Sequence, residues 1–329
     1  MSTTSFGPDA LALDMEAETE RIGEVIRDQL RESRRKGLVI ALSGGIDSSV
    51  TAALCVAAVG PGRVFGLHMP ERASSPDTIS LSRSISDHFG FESELEEIAD
   101  TLEAAGCYRR YDESVRQVVP EYGEGWKSKI VLPNVVEDDS LRLYSVVVED
   151  PDGEQSRHRL SVDAYLGIVA ATNFKQRVRK MMEYYHADRL NYLTTGTPNR
   201  LEYDQGFFVK LGDGAADIKP IAHLYKTQVY ALAEHLGVPE AVRVRPSTTD
   251  TYSLEQSQEE FYFSLPHHLM DLCLYGKNHD VPLADVGKAT GLDATQVERV
   301  YNDIDQKRRT TAYLHQPPVL IEDVPEISV

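Results

Sequence analysis

The sequence predicts an α/β protein with a Rossmann-like parallel sheet and helices on both faces of that sheet. The first observation is an apolar run at residues 38–42 that ends abruptly in a glycine–serine turn. The second is the segment after this turn, in which small and apolar residues recur at the i, i+3, i+4, i+7 spacing of a helix packed on a sheet. The third is the alternation of short strand-like runs with helical segments up to about residue 98, which is the order of a parallel sheet.

The predicted elements follow one another from the N-terminus. Residues 1–14 are predicted to be a flexible tail, and a helix stopped by Gly37 has apolar positions at Met15, Ile22, Val25, Ile26 and Leu30. Short extended runs predict strands at 38–42, 64–69, 93–98 and 191–195. Helical spacing predicts further helices at 78–89, 163–185, 226–236, 266–275, 282–290 and 295–307. We therefore expect one domain over 15–315 and a C-terminal tail at 316–329.

The alternation of strands and helices breaks at about residues 105–161, where tyrosine, valine and charged residues are frequent. A Pro-Asp-Gly turn at 151–153 separates two extended runs, 141–149 and 154–160, so we expect an inserted β-hairpin. Such an insert is compatible with two roles, a decoration at the edge of a sheet and a lid over a substrate. Both roles are open on the sequence alone.

Composition limits the kind of protein. Of the 329 residues, 41% are hydrophobic and 26% are charged, as in ordinary soluble globular proteins. No apolar run reaches the length of a membrane span and the acidic N-terminus lacks the regions of a secretory signal, so we expect a cytoplasmic protein without a membrane partner. The net charge of −18 argues against a nucleic-acid partner but leaves room for a local basic pocket. Three cysteines without a C-x-x-C pair argue against a disulfide framework or a structural zinc site.

The glycine–serine turn carries the clearest chemical signal. Its glycines let the backbone approach an anion closely, and the amides of the following helix point at that anion with the positive end of the helix dipole. Serine hydroxyls add donors, and an aspartate offers a carboxylate for the Mg²⁺ that accompanies a nucleoside triphosphate. The lysine of the G-x-x-x-x-G-K-[ST] motif is missing, which argues against a P-loop that cleaves the γ-phosphate. The residues of this turn are Ser43, Gly44, Gly45, Ile46, Asp47, Ser48 and Ser49.

The turn resembles the PP-loop of the ATP pyrophosphatases, which split ATP between its α- and β-phosphates. The chain from about residue 16 to residue 307, apart from the insert, resembles the ammonia-dependent NAD synthetase family of that superfamily. Further motifs in family order are N-F-K-Q-R at 173–177, G-T at 196–197, Glu202, G-F-F-V-K-L-G-D-G-A-A-D at 206–217 and Lys226. The resemblance implies a PP-loop adenine-nucleotide hydrolase-like fold.

The resemblance also implies roles for individual residues. ATP would be bound by the whole turn from Ser43 to Ser49 and by Thr197, Lys226 and Ser247. Mg²⁺ would be held by Asp47 and Glu202, and the catalytic residues would be Asp47, Lys226 and Asp217. The residues implied to bind deamido-NAD are Asn173, Arg177, Lys210, Asp217, Gln306 and Lys307.

The reaction implied by the resemblance is the ATP-dependent amidation of a carboxylate through an acyl-adenylate, with release of AMP and pyrophosphate. Deamido-NAD would be the carboxylate. Ammonia would be the nitrogen donor, either free or from a separate glutaminase, because only 37 residues precede the first strand and leave no room for a glutaminase domain. The resemblance further implies a homodimer with substrate sites near its interface.

Departures from the family pattern keep a second interpretation open. Pro198 and Asn199 replace the usual aspartate and histidine after the Gly-Thr pair, and Gln306 replaces the histidine before Lys307. The β-hairpin insert ahead of the helix with Asn173 is a third departure. Because we expect these three changes to reach the acid-binding pocket while the phosphate turn is intact, an NAD-synthetase-like amide ligase for another carboxylic acid is the alternative. A tRNA-modifying PP-loop protein is disfavoured by the acidic charge. A nucleotide-binding regulator without turnover is disfavoured by the retention of Asp47, Glu202, Lys210, Asp217 and Lys226.

Overall fold

The computed structural model describes residues 6–132, 144–246 and 251–327. Its strands are β1 (Leu38–Ala41), β2 (Val64–His68), β3 (Glu92–Leu95), β4 (Lys127–Val131), β5 (Ser145–Glu149), β6 (Gln155–Arg159) and β7 (Leu193–Thr195). Its α-helices are α1 (Met15–Glu32), α2 (Ile46–Val59), α3 (Pro76–Phe89), α4 (Ala99–Ala104), α5 (Cys107–Val115), α6 (Val162–Leu190), α7 (Arg200–Gln205), α8 (Lys226–His235), α9 (Glu240–Arg243), α10 (His267–Asn278), α11 (Leu283–Thr290) and α12 (Ala294–Thr311).

The central sheet has four parallel strands in the order β3-β2-β1-β7. Leu38 and Ile40 of β1 pack into one core cluster with residues of α1, α2 and α8, whereas Val39 packs into a second cluster with residues of α4, α5 and α6. Alternate side chains of one strand point to opposite faces, so helices cover both faces of the sheet. The predicted fold class is therefore confirmed.

The predicted strands and helices of the central domain are present, with ends shifted by a few residues. The apolar residues of α1 differ in burial: Val25 is 52% exposed, whereas Ile22 and Ile26 are 4% and 1% exposed. Ile22, Ile26 and Leu30 follow the i, i+4, i+8 spacing of one helix face, and Val25 falls outside that line. Helix α5 was not predicted, because the middle of its sequence consists of charged residues and tyrosines and shows no apolar stripe.

The predicted hairpin is present as β5 and β6, which pair antiparallel, while residues 141–143 of its first predicted strand lie outside the described residues. A third strand that was not predicted, β4, pairs with β5 on the other side. Ile130, Val146 and Val148 of this small sheet are buried with Ala164 and Ile168 of α6. The insert is thus packed against the first turns of the long helix α6.

The C-terminal helices α10, α11 and α12 form a further core that includes Leu201 of α7 and Tyr225 before α8. Leu11, in the segment predicted as an N-terminal tail, is 6% exposed within this core. In the segment predicted as a C-terminal tail, Val319 and Ile321 are fully or almost fully exposed. None of the helices in the described part of the chain is long and apolar enough to cross a membrane.

Candidate active site

The glycine–serine turn links the carboxyl end of β1 to α2. Gly44 has a φ of +71°, and a Cβ at this position would lie 3.0 Å from Leu81 Cβ, so any other residue would strain the turn. Ser48 Oγ accepts from the Ser43 amide at 3.3 Å and donates to the Gly45 carbonyl at 3.1 Å, which closes the turn on itself. Within the described part of the chain, no side chain caps α2, so its first amides are open to an anion.

Two carboxylates and a lysine meet beside this turn. Lys226 Nζ forms an ion pair with Asp47 Oδ2, and Asn199 Nδ2 donates to Asp47 Oδ1 at 3.1 Å. The Asn199 amide also donates to Glu202 Oε2 at 3.1 Å, in a capping box that starts α7. Gln258 Nε2 donates to Glu202 Oε1 at 3.0 Å. These bonds fix the turn, the start of α7 and the start of α8 relative to one another.

Lys226 is held rigidly because it is the first residue of α8 and is only 2% exposed. Asp271 of α10 accepts a hydrogen bond from the Lys226 amide at 3.2 Å and another from the Thr227 amide at 2.7 Å. A carboxylate at a helix N-terminus satisfies free amides and complements the helix dipole. Helix α10 therefore positions the backbone from which the Lys226 amine reaches Asp47.

Burial and mutual charge change the pKa values of this cluster. Burial, followed by the nearby negative charge of Asp47, raises the pKa of Glu202 to about 8. Burial alone would lower the pKa of Lys226, but the charges of Asp47 and Glu202 outweigh it and hold this pKa above its ordinary value. Lys226 is thus a cation in the neutral pH range, and Glu202 is a carboxyl group whose ionisation a further cation would favour.

We expect the free energy of unfolding of the ligand-free protein to decrease through Glu202 as pH rises from about 4.5 to about 8. Over this range Glu202 keeps its proton in the folded chain, whereas a glutamate of the unfolded chain has lost it, so a higher pH favours unfolding. Urea denaturation of the wild type and of Glu202→Gln across this range checks the effect. Their difference in unfolding free energy should change by a few kcal/mol. A difference that is independent of pH would contradict this assignment.

The turn opens into a cavity of about 410 Å³ at the carboxyl ends of β1, β2 and β7. This is the edge at which ligands bind in open α/β sheets. Lining residues that the sequence had indicated are Ser43, Gly45, Ile46, Asp47, Ser48, Thr197, Glu202 and Asn173. Gly44, Ser49 and Lys226 stand directly behind this lining, where Ser49 Oγ donates to the Gly45 carbonyl at 2.8 Å. The structure therefore brings the predicted phosphate and metal residues together.

The other side chains predicted to bind the dinucleotide lie outside the lining of this cavity. Lys210 Nζ donates to the carbonyls of Tyr313 at 2.6 Å and Gln316 at 3.0 Å. Arg177 is exposed on α6, and its Nε donates to the Lys210 carbonyl at 3.4 Å. Asp217 Oδ2 accepts from the Thr194 amide at 2.7 Å at the end of the central sheet.

The last predicted contacts are separated as well. Gln306 is exposed on α12, whereas Lys307 is buried and forms an ion pair with Asp303 at 2.8 Å. Lys307 Nζ also donates to the Tyr262 carbonyl at 2.5 Å, so in this chain it joins α12 to the π-helical turn Glu259–Phe263. Ser247 lies outside the described residues.

The insert takes part in the cavity wall. Ile130 and Leu132, at the end of β4, and Tyr144, before β5, line the cavity opposite the phosphate turn. The ring of Tyr144 stacks on that of Tyr165 of α6, with 3.9 Å between the centroids. Of the two roles left open by the sequence, a lid over a substrate agrees with this position, and that role stays a prediction.

Sequence reasoning missed two buried ion pairs in the same wall. Lys175 Nζ lies 2.8 Å from Glu71 Oε1, and Lys180 Nζ lies 2.6 Å from Glu183 Oε2. Lysine and glutamate are among the commonest surface residues, so their types gave no signal of burial. The role of Asn199 as the first residue of a helix cap could have been predicted, because N-x-x-E ahead of an apolar residue is a signature of a helix start.

Comparison with known proteins places these features in a family. The profile of the family described as NAD synthase matches residues 18–121 and 146–313. The chain belongs to this family. Between the two matched ranges, residues 122–145 are unmatched; they fall within the segment predicted as the insert and include β4.

Proteins similar to this chain in sequence or in structure are named as synthetases of NAD or NMN. The NH(3)-dependent NAD(+) synthetase of Rhizobium meliloti (strain 1021) is 58% identical over 322 residues, which cover 98% of this chain and 96% of that protein. The NMN synthetase of Francisella tularensis superposes with a TM-score of 0.64 at 20% identity, covering 95% of this chain and 100% of that one. The NH3-dependent NAD synthetase of Campylobacter jejuni, in complex with nitrate, superposes with a TM-score of 0.61 at 22% identity, covering 94% and 100%. These two structures support the fold.

Proposed function

We propose that this protein is an ammonia-dependent NAD synthetase, which amidates the nicotinate carboxylate of deamido-NAD with ammonia and ATP. The observation that carries the proposal is the cluster of Asp47, Asn199, Glu202 and Lys226 at the open phosphate turn. It occurs in a family member that is 58% identical to a protein named for this reaction.

In the first step, a carboxylate oxygen of the substrate forms a bond with the α-phosphorus of ATP, and the bond from that phosphorus to the β-phosphate oxygen breaks. Pyrophosphate leaves with the electron pair. The amides at the start of α2 and the hydroxyls of Ser43 and Ser48 are placed to stabilise its charge, and Lys226 adds a fixed positive charge. The protein need not supply a nucleophile, since its contribution is alignment and electrostatic stabilisation.

In the second step, ammonia attacks the acyl carbon, a C–N bond forms and the C–O bond to AMP breaks. The nitrogen loses a proton to give the neutral amide. The nitrogen donor in this proposal is ammonia itself, whether free or delivered by a separate glutaminase, as the name of the Rhizobium meliloti relative suggests. We retain Asp217, as the sequence indicated, as a group that helps to hold or deprotonate the incoming nitrogen.

Mg²⁺ forms part of the proposal. No group of three or more His, Cys, Asp and Glu side chains in the described residues could hold a metal ion by itself. This agrees with Mg²⁺, which usually takes one or two carboxylates and completes its coordination with phosphate oxygens and water. Asp47 and Glu202 fit that pattern, because burial and then the neighbouring charge of Asp47 raise the pKa of Glu202, and a cation beside both carboxylates would offset that charge. Mg²⁺ there would neutralise charge on the triphosphate.

Deamido-NAD would enter from the side of α6. Asn173 lines the cavity, and Arg177, one turn further along this helix, is exposed. Together with Lys210, Asp217, Gln306 and Lys307 we assign these residues to deamido-NAD, as the family resemblance implies, and Thr197 and Ser247 to ATP.

We further propose a homodimer formed through α6. Four large apolar side chains of this helix are exposed by more than half: Val162, Leu166, Met181 and Tyr185. On a helix of 3.6 residues per turn they fall on one side, with Arg177 between them. Exposed apolar side chains at both ends of a helix face are compatible with a protein interface, and pairing through this face would bring Arg177 next to a second subunit. A cytoplasmic location, where ATP and dinucleotides are made, belongs to the same proposal.

The test is a substrate panel with purified protein, ATP, Mg²⁺ and ammonium. We expect NAD and AMP to form in equal amounts from deamido-NAD, with kcat/KM at least a hundredfold above that for nicotinic acid mononucleotide or simple aromatic acids. Such a factor corresponds to about 2.7 kcal/mol of transition-state discrimination. Well-folded protein that forms AMP only with another acid would instead support the amide ligase of different specificity.

A further inference from the structure

A second pocket lies at the opposite edge of the central sheet. It measures about 450 Å³ and is lined by five arginines and one leucine: Arg27, Leu30, Arg31, Arg34, Arg35 and Arg63. The predicted catalytic and binding residues are absent from its lining. In a chain with a net charge of −18, five guanidinium groups around one pocket are an unusual concentration of positive charge.

The turns that precede three strands form this pocket, and hydrogen bonds join them. Arg63, just before β2, donates from Nε to the Lys36 carbonyl before β1 at 2.6 Å. Arg35 donates from Nη1 to Asn191 Oδ1, before β7, at 2.9 Å. The Lys36 amide donates to the Asn191 carbonyl at 2.9 Å. The pocket therefore lies at the amino ends of β1, β2 and β7, whereas the phosphate turn lies at the carboxyl end of β1.

Only part of this charge is neutralised within the chain. Arg27 forms an ion pair with Glu20 at 2.5 Å, and Arg31 forms one with Asp28. Across the described ranges of the chain, no carboxylate oxygen lies within 4 Å of the guanidinium groups of Arg34, Arg35 or Arg63. Three cations that face one pocket without acidic partners repel one another, so the pocket gains stability from any anion that enters it.

Arg34 provides a second, independent observation. Its φ is +55°, in the left-handed region that follows the end of α1, and the Arg35 amide closes the helix on the Leu30 carbonyl at 3.0 Å. Glycine is the residue most often found at this position of a helix end, and an L-residue there costs about 1–2 kcal/mol. Glycine at position 34 would thus give a more stable fold. The arginine that is present instead places a positive charge at the pocket.

We propose that this pocket binds an inorganic phosphoanhydride, with tripolyphosphate as the representative ligand. The planar guanidinium group pairs with two oxygens of one phosphate at once, so several arginines suit a chain of phosphates better than lysines would. The lining consists of arginines and one leucine, without an aromatic side chain to stack on a nucleobase. An anion site of this kind, separate from the catalytic cavity, would let phosphate supply influence the enzyme.

The experiment measures binding of tripolyphosphate by calorimetry to the full chain. The titration is done with Mg²⁺ and a saturating concentration of an ATP analogue that has a methylene bridge between the α- and β-phosphates. The analogue fills the phosphate turn at Ser43–Ser49, so that this turn does not contribute to the measured binding of tripolyphosphate. We expect one further binding event. Arg34→Gly, which relieves the left-handed backbone, and Arg35→Gln should each weaken it at least about tenfold.

Arg109→Gln, on an exposed pair with Glu113 on α5, is the matched control and should leave the affinity unchanged. Arg34→Gly should also keep the wild-type KM for ATP and an equal or higher melting temperature. The proposal is overturned if the filled enzyme does not bind tripolyphosphate, or if Arg34→Gly binds it as tightly as the wild type. Citrate that binds to the filled enzyme as tightly as tripolyphosphate would also refute it.

Discussion

Replacement of Lys226 by methionine is expected to lower kcat/KM for ATP by about a thousandfold. The Lys226 amine is buried, positively charged and paired with Asp47 at the phosphate turn, so its loss removes a preorganised charge from the leaving pyrophosphate. The measurement is the steady-state rate of NAD formation at varied ATP. The KM for deamido-NAD should change little, because Lys226 lies on the ATP side of the cavity.

Two further variants separate catalysis from folding. Lys226→Met leaves the Asp47 carboxylate without its cation, which destabilises the fold, whereas the double variant with Asp47→Asn removes both charges and should recover stability. Activity should stay low in the double variant. Lys277→Met, which breaks a less buried pair with Asp305 at 2.8 Å, is the control and should retain activity. A double variant that recovers activity along with stability would show that Lys226 serves only the fold.

Gly44→Ala is the second change with a large expected effect. Gly44 has a left-handed φ, and an added Cβ would lie 3.0 Å from Leu81 Cβ and 3.1 Å from the Thr78 carbonyl oxygen, so the substitution strains the contact between the turn and α3. Because the turn aims the amides of α2, we expect kcat/KM for ATP to fall by at least a hundredfold, which the same assay measures.

Gly90→Ala is a matched control for this variant. Gly90 has nearly the same φ, +72°, but its added Cβ would meet nothing within 4 Å, and it ends α3 away from the turn. Both substitutions carry the cost of a left-handed alanine, about 1–2 kcal/mol, but only Gly44→Ala should lose activity. Equal activity of the two variants would mean that the shape of the turn is not required.

The fold and half of the site could be predicted from the sequence because their signals are local. A strand, a turn and a helix within 22 residues specify the phosphate turn, and their spacing follows directly from the geometry of these elements. Asp47 lies within that unit. Glu202 and Lys226 were found through motifs rather than through spacing, and in the structure Asn199 and an ion pair join them to Asp47.

The remaining features depend on contacts between distant segments. Strand β4 pairs with β5 across 14 or more residues, and Lys175 meets Glu71 from more than 100 positions away. Whether a lysine is buried beside a carboxylate is decided by packing, which no local pattern records. The same holds for Arg177 and Lys210, whose assignment to deamido-NAD stays a prediction.

Transfer of oxygen-18 tests the central claim most directly. Deamido-NAD labelled in both oxygens of the nicotinate carboxylate is converted with ATP and ammonia, and the AMP is analysed by mass spectrometry. An acyl-adenylate formed at the phosphate turn predicts one labelled oxygen in every AMP formed, with the other in the amide of NAD. Unlabelled AMP, or label found in pyrophosphate or orthophosphate, would contradict attack of the carboxylate on the α-phosphorus.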